Sequence, residues 1–366
     1  MTHLFKDDVF TIPLPGSDLV FTRYLYVKDE VRVALLVALL NKSDSALFWA
    51  YELYYSGFKN ELLKLLWKIY YDFYATCNPS YESHLLELHN DCILHDKAEN
   101  ISIIVQDLLI REFNTDIFGL RNCCEQFEPD LESELNTWIK DKDYRSIAQW
   151  IFNVNKQYEC AELFTMILKE DNICFKQLVS SLNGIVNPNV LLITKIMQMF
   201  CKGKTNNCNF YIYAEPDEAE EYKDIEDIIG RKVLQKASIY NINEFDHLSL
   251  FKLTRFKYDL TTGYRTNWEY HASFSPIWSQ RIRNYGGVID FTVKKVTFND
   301  DSQQEEFYRI YGYEPDEQST DVQYKNIQPI DQKYDWAWFI ITYRNSGLFE
   351  LWDVEIDEFD NESLIY

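Results

Sequence analysis

The sequence predicts an α+β protein, with an all-α N-terminal domain, solenoid-like or irregular, over residues 1–208 and a smaller, mixed, β-rich domain over 209–366. Three observations lead there. Between residues 28 and 202, apolar side chains recur at spacings of three and four, the repeat of a one-sided helix. The composition then changes at "CKGKTNNCNFYIYAEPDEAEEYKD", where a loop-like polar run is followed by an acidic one, and beyond it the apolar residues come in shorter, alternating runs. A chain of 366 residues also exceeds the size at which one core stops growing. With 26 Tyr, 24 Phe and 9 Trp against 11 Gly and 9 Pro, the composition is that of an ordered globular protein.

In "KSDSALFWAYELYYSGF" the hydroxyl of Ser43 can accept from a first-turn amide, and Gly57 can take the left-handed conformation that ends a helix. The next segment, "KNELLKLLWKIYYDFYATCNP", is apolar nearly all round and stops before Pro79, which predicts a buried central helix. Lys64, Lys68 and Asp72, four apart, would form its one wet stripe. Further helices are predicted near 80–95, 98–113, 116–126, 129–140, 143–154, 156–169, 172–182 and 188–202. No fixed sequence period joins them. Beyond residue 208 the alternation predicts strands at 209–213, 231–240, 249–258, 266–274, 288–298, 335–343 and 348–356, with one helix near 302–311.

Acidic residues outnumber basic ones by 58 to 36, most densely beyond residue 208. Such a field repels phosphate backbones and anionic lipid, so a protein partner, basic in character, is expected, with no direct nucleic-acid binding and no membrane association. The eight cysteines (Cys77, Cys92, Cys123, Cys124, Cys160, Cys174, Cys201, Cys208) include no C-x-x-C, which suits reduced, buried thiols. The start, "MTHLFKDDVFTIPLPG", has acids and prolines where a secretory leader needs a basic tip and an apolar run, and no segment offers a membrane-spanning length of uncharged apolar residues.

The densest collection of chemically useful groups is "YHASFSPIWSQRIRNYGG", Tyr270 to Gly287. A hydrolase would use Ser273 or Ser275 as nucleophile, His271 as base and Asp290 as its orienting acid. No G-x-S-x-G elbow accompanies them. The structural alternative has Ile277, Trp278 and Ile282 facing inward, with Arg281 and Arg283 pairing locally or offering a small basic spot to a partner. "HLLELHNDCILHD" carries His84, His89, Cys92 and His95, residue types that bind zinc, although one straight helix cannot close a tetrahedral site. "EPDE" occurs at Glu215–Glu218 and Glu314–Glu317 and reads as exposed acidic turns. The acidic, apolar "FELWDVEIDEFDNESLIY" offers Trp352, Asp353, Glu355 and Asp357 as a contact for a basic partner, or as a solvated edge. No motif for a nucleotide, a metal or another cofactor is present, and no cofactor is expected.

Three stretches, "SALFWAYELYYSGF" (45–58), "YHASFSPIWSQRI" with "NYGG" (270–287) and "YEPDEQ" (313–318), resemble an uncharacterised protein family of the nucleocytoplasmic large DNA viruses. The resemblance implies a viral protein made in the host cytoplasm and packaged in the virion, and carries no catalytic residue with it. The sequence as a whole therefore predicts a non-enzymatic interaction or structural protein, with a hydrolase centred on His271 and an acidic mimic of nucleic acid as rivals.

Overall fold

The computed structural model describes residues 19–123, 132–154, 158–200, 210–223, 268–311, 336–343 and 346–347. These residues are mostly helical, with one two-stranded sheet. In chain order the helices are α1 (Lys28–Leu40), α2 (Ser45–Leu53), α3 (Lys59–Ile69), α4 (Tyr81–His95), α5 (Glu99–Ile110), α6 (Asp116–Cys123), α7 (Glu132–Asp141), α8 (Tyr144–Gln149), α9 (Cys160–Leu168), α10 (Ile173–Ser181), α11 (Pro188–Phe200), α12 (Pro216–Glu221), α13 (Trp268–Ala272) and α14 (Pro276–Asn284). Strands β1 (Gly287–Asp290) and β2 (Lys295–Phe298) follow, then α15 (Asp301–Tyr311) and α16 (Trp336–Tyr343). No helix among the described residues is long and apolar enough to cross a membrane. The chain divides into two compact units, each drawn from separated stretches. One comprises Met1–Leu35, Tyr51–Lys59 and Tyr222–Tyr334, the other Leu36–Ala50, Asn60–Glu221 and Asp335–Tyr366.

In the first unit Leu19, Phe21, Tyr24, Leu25, Val27, Trp268, Ala272, Trp278, Ile282 and Phe307 form one buried apolar cluster. Aromatic rings meet edge to face across it, Trp268 on Trp278 at 5.3 Å and Phe307 on Tyr308 at 5.3 Å between centroids. Gly57 sits at φ 92 where the helical path kinks, and a Cβ there would lie 2.6 Å from Cβ of Pro276. Only glycine tolerates both that backbone and that approach. Two of the three stretches that carry the family resemblance thus touch here.

Arg23 is the polar anchor of the same unit. Its Nε donates to Glu52 at 2.9 Å, and Nη1 and Nη2 donate to the carbonyls of Lys223 and Tyr222 at 2.7 and 2.6 Å. Glu52 accepts the Tyr24 amide through its other oxygen at 3.0 Å. Rings of Tyr24 and Tyr55 lie 4.6 and 5.0 Å from the guanidinium carbon.

In the second unit α3 is buried through Leu62, Leu63, Leu65, Leu66, Trp67 and Ile69, as its apolar run predicts. It continues into a π-helical turn, Tyr70–Tyr74, in which the Ala75 amide donates to the Tyr70 carbonyl at 2.8 Å and the Phe73 carbonyl accepts the Asn114 amide at 2.8 Å. The wider turn shifts the phase of the helix. Lys64 stays exposed, but Asp72, expected on the wet stripe, is buried and bound by Arg121 at 2.6 Å.

Helices α4 to α11 fall where their periodicity predicts. Three strand expectations are corrected. Residues 268–272 form α13, since Trp268 and Ala272, four apart, both reach the core while Tyr270 and His271 are also buried, leaving no wet face for a half-buried strand. Residues 336–343 form α16, where Phe339 and Tyr343, again four apart, pack on Phe118 and Phe113 at 5.3 and 6.1 Å and override β propensity. The single strand expected at 288–298 is a hairpin instead. Its register runs from Gly287 opposite Phe298 to Asp290 opposite Lys295, and Asp290 accepts the amides of Thr292 and Val293 at 2.8 and 3.1 Å to turn the chain. Residues 210–213 are extended without pairing in a sheet. The strands expected at 231–240, 249–258 and 348–356 lie outside the described residues.

Candidate interaction surface

Helix α5 is apolar except near its end, where Asp107 and Arg111 stand four residues apart and are both fully buried. Arg111 Nη1 donates to Asp107 Oδ1 at 2.9 Å and to the Asp107 carbonyl at 2.6 Å. The two side chains also reach a second piece of chain. Arg111 Nη2 donates to the Phe210 carbonyl at 2.8 Å, and the Ile212 amide donates to Asp107 Oδ1 at 3.0 Å. A neutralised charge pair thereby pins an extended segment through one carbonyl and one amide. Below the guanidinium lies Tyr81, its ring centroid 4.0 Å away, and Tyr211 lies at 5.4 Å.

Alternation along the pinned segment turns its aromatic side chains outward. Phe210, Tyr211 and Tyr213 are 79%, 47% and 75% exposed, whereas Ala214 is buried. The chain then enters α12, the first "EPDE" copy, with Pro216 at the first helical position. This copy is not the free acidic turn expected: Glu218 accepts from Ser102 Oγ at 3.1 Å and from Gln106 Nε2 at 3.0 Å, fastening α12 to α5. Glu215, Asp217, Glu220 and Glu221 remain exposed. Three outward aromatic rings and four carboxylates therefore share twelve residues of anchored chain, a surface suited to cations that also stack on rings.

The other sequence-predicted residues are placed as follows. His271 is buried, its Nδ1 3.2 Å from the Leu19 carbonyl and its ring edge-on to Phe21 at 6.1 Å. Ser273 Oγ donates to the Tyr270 carbonyl at 2.6 Å, and Ser275 Oγ accepts the Trp278 amide as the cap of α14. Asp290 turns the hairpin. The structure does not bring these four together as a nucleophile, base and acid. Trp278 is buried, and its indole donates to the Thr22 carbonyl at 3.0 Å, which makes it a core residue rather than a surface anchor. Arg281 lies over the Trp278 and Tyr311 rings at 4.6 and 4.8 Å, while Arg283 is exposed. Trp352, Asp353, Glu355 and Asp357 lie outside the described residues, as does the "EPDE" at 314–317.

The histidines and cysteine of α4 diverge. His89 accepts the Trp67 indole proton at 3.3 Å, and its burial lowers the pKa of the ring. Cys92 donates to the Lys97 carbonyl at 3.3 Å, and His95 is exposed at the helix end. Among the described residues no three His, Cys, Asp or Glu side chains form a metal-binding group. Among the same residues Cys77, Cys92, Cys160 and Cys174 are free thiols. The Asp107 and Arg111 clamp was legible in one feature only, an opposite-charge pair at helical spacing inside an otherwise apolar helix.

Comparison of the chain with protein-family models, with curated proteins and with solved structures found no match.

Proposed function

We propose that the protein is a non-enzymatic interaction protein whose Phe210–Glu221 surface holds an arginine-rich segment of a basic partner. The observation that carries this reading is the exposure of Phe210, Tyr211 and Tyr213 on a backbone fixed by buried charges, next to four exposed carboxylates. Scattered exposed apolar residues are ordinary, but three large rings in four residues amount to a patch. Guanidinium groups stack on such rings and pair with carboxylates at once, which ammonium groups do less well. The net charge of −22 adds long-range attraction for a cationic partner. The family resemblance suggests the setting, the host cytoplasm or the virus particle.

A polyarginine peptide tests the reading. It should bind more tightly than polylysine of equal length, and the affinity should fall as salt is raised. Replacing Phe210 and Tyr213 together by Ala should weaken polyarginine binding about tenfold or more, while changing unfolding free energy by less than about 0.5 kcal/mol. Equal binding by the double variant, or no preference for arginine, would exclude this surface.

A further inference from the structure

Beneath the aromatic strip, four buried polar atoms have no hydrogen-bond partner among the described residues: Tyr81 Oη, His84 Nε2, Asp107 Oδ2 and Arg111 Nε. Unsatisfied buried groups are rare in folded proteins, and four on neighbouring side chains of one cluster point to a missing participant. The geometry identifies it as a proton. His84 Nε2 stands 3.7 Å from Asp107 Oδ2, and His84 Nδ1 stands 3.8 Å from Glu87 Oε2. A neutral imidazole has a single N–H and can serve only one of these carboxylates, whereas the doubly protonated ring donates to both.

We infer that His84 is a proton-operated clamp on the Phe210–Tyr213 segment, tightening it when the ring carries two protons. The link to the segment is direct, because Tyr211 covers the His84 ring with centroids 4.4 Å apart and Asp107 holds the Ile212 amide. The groups facing the ring are Glu87 and Tyr81 from α4, Asp107 and Arg111 from α5, and Tyr211 from the extended segment. Glu218 of α12 is already engaged by Ser102 and Gln106. Arg111 opposes the added charge, but its Nη1 points to Oδ1 of Asp107 and leaves Oδ2 to the imidazole. Glu87 is largely exposed, so its attraction is screened and Asp107 supplies the larger part. The sign follows. Imidazoles take up their second proton within the range from about pH 8 to about pH 5, so the tightened state prevails at the acidic end and is lost as pH rises.

This clamp would regulate the surface proposed above, yet its test needs no partner. Hydrogen exchange at the Ile212 amide of the free protein, expressed as a protection factor so that intrinsic exchange cancels, should rise about threefold from about pH 7.5 to about pH 5.5. H84Q should abolish that rise, and E87Q, at an exposed position that does not threaten folding, should reduce it. An unchanged rise in H84Q, or a flat profile in the wild-type protein, would overturn the clamp. If polyarginine fails to bind while the Ile212 profile behaves as described, the partner reading falls and the clamp stands.

Discussion

Arg23 in the first unit and Arg111 in the second are built alike: each is buried, paired with a carboxylate, laid on tyrosine rings and bonded to a carbonyl of a passing segment. The difference lies in completeness. Around Arg23 all three guanidinium nitrogens donate, and both oxygens of Glu52 accept. Around Arg111 one nitrogen and one oxygen of Asp107 are left over, and a half-exposed histidine stands beside the gap. A closed cluster of this kind fixes architecture. An open one, under a strip of outward aromatic rings, has the means to respond to its surroundings.

Removing Arg23 should have the larger effect on stability. Arg23→Met leaves Glu52 buried without its cation and two carbonyls without donors, and should cost about 3–5 kcal/mol in urea unfolding. Adding Glu52→Leu should recover a large part of that loss, because the uncompensated carboxylate is then gone. Arg111→Met should cost less, about 2–3 kcal/mol, since the cluster is incomplete at the outset. It should also expose the Phe210–Tyr213 amides to exchange. Equal losses for the two arginines would erase the distinction between them.

Gly57→Ala probes the rigidity of the segment that carries Glu52. The left-handed backbone and the approach of Pro276 together predict a loss of about 2 kcal/mol, read from the thermal midpoint. Alkali gives the smallest effect. Burial, then the charge of Glu52, pushes the Tyr26 phenol up to about 12. A folded pKa above the unfolded one means that its contribution is complete below about pH 10 and is lost as pH climbs through about 12. Tyr26→Phe should therefore flatten the fall in stability across that window by about 1–2 kcal/mol, as followed by urea midpoints. An identical fall in the variant would show that the phenol ionises without strain.

The helical half of the fold was legible because its signals are local. Ser43 accepts the Ser45 amide at 3.4 Å, and Gly57 takes the positive φ that its place at a helix end predicts. Residues 301–311 also carry enough periodicity to reveal α15. What misled was aromatic and β-branched content in short helices. "WEYHA" and "WAWFIITY" have strand-like composition, and only contacts made far away in sequence, such as Trp268 with Phe307 at 6.3 Å and Phe339 with Phe118 at 5.3 Å, settle them as helical. The aromatic surface was hidden for a similar reason. "NFYIY" alternates like a strand, and nothing local reveals that its hydrogen bonds go to side chains of α5.

The π-helical turn at Tyr70–Tyr74 amounts to one inserted residue retained inside a helix. An ancestral or descendant chain lacking it would keep α3 unchanged to Ile69 and rotate everything after by about 100°. Asp72 would then no longer point where Arg121 can meet it. That ion pair is accordingly a mark of descent as well as a support, since it can persist only in lineages that have kept the extra residue.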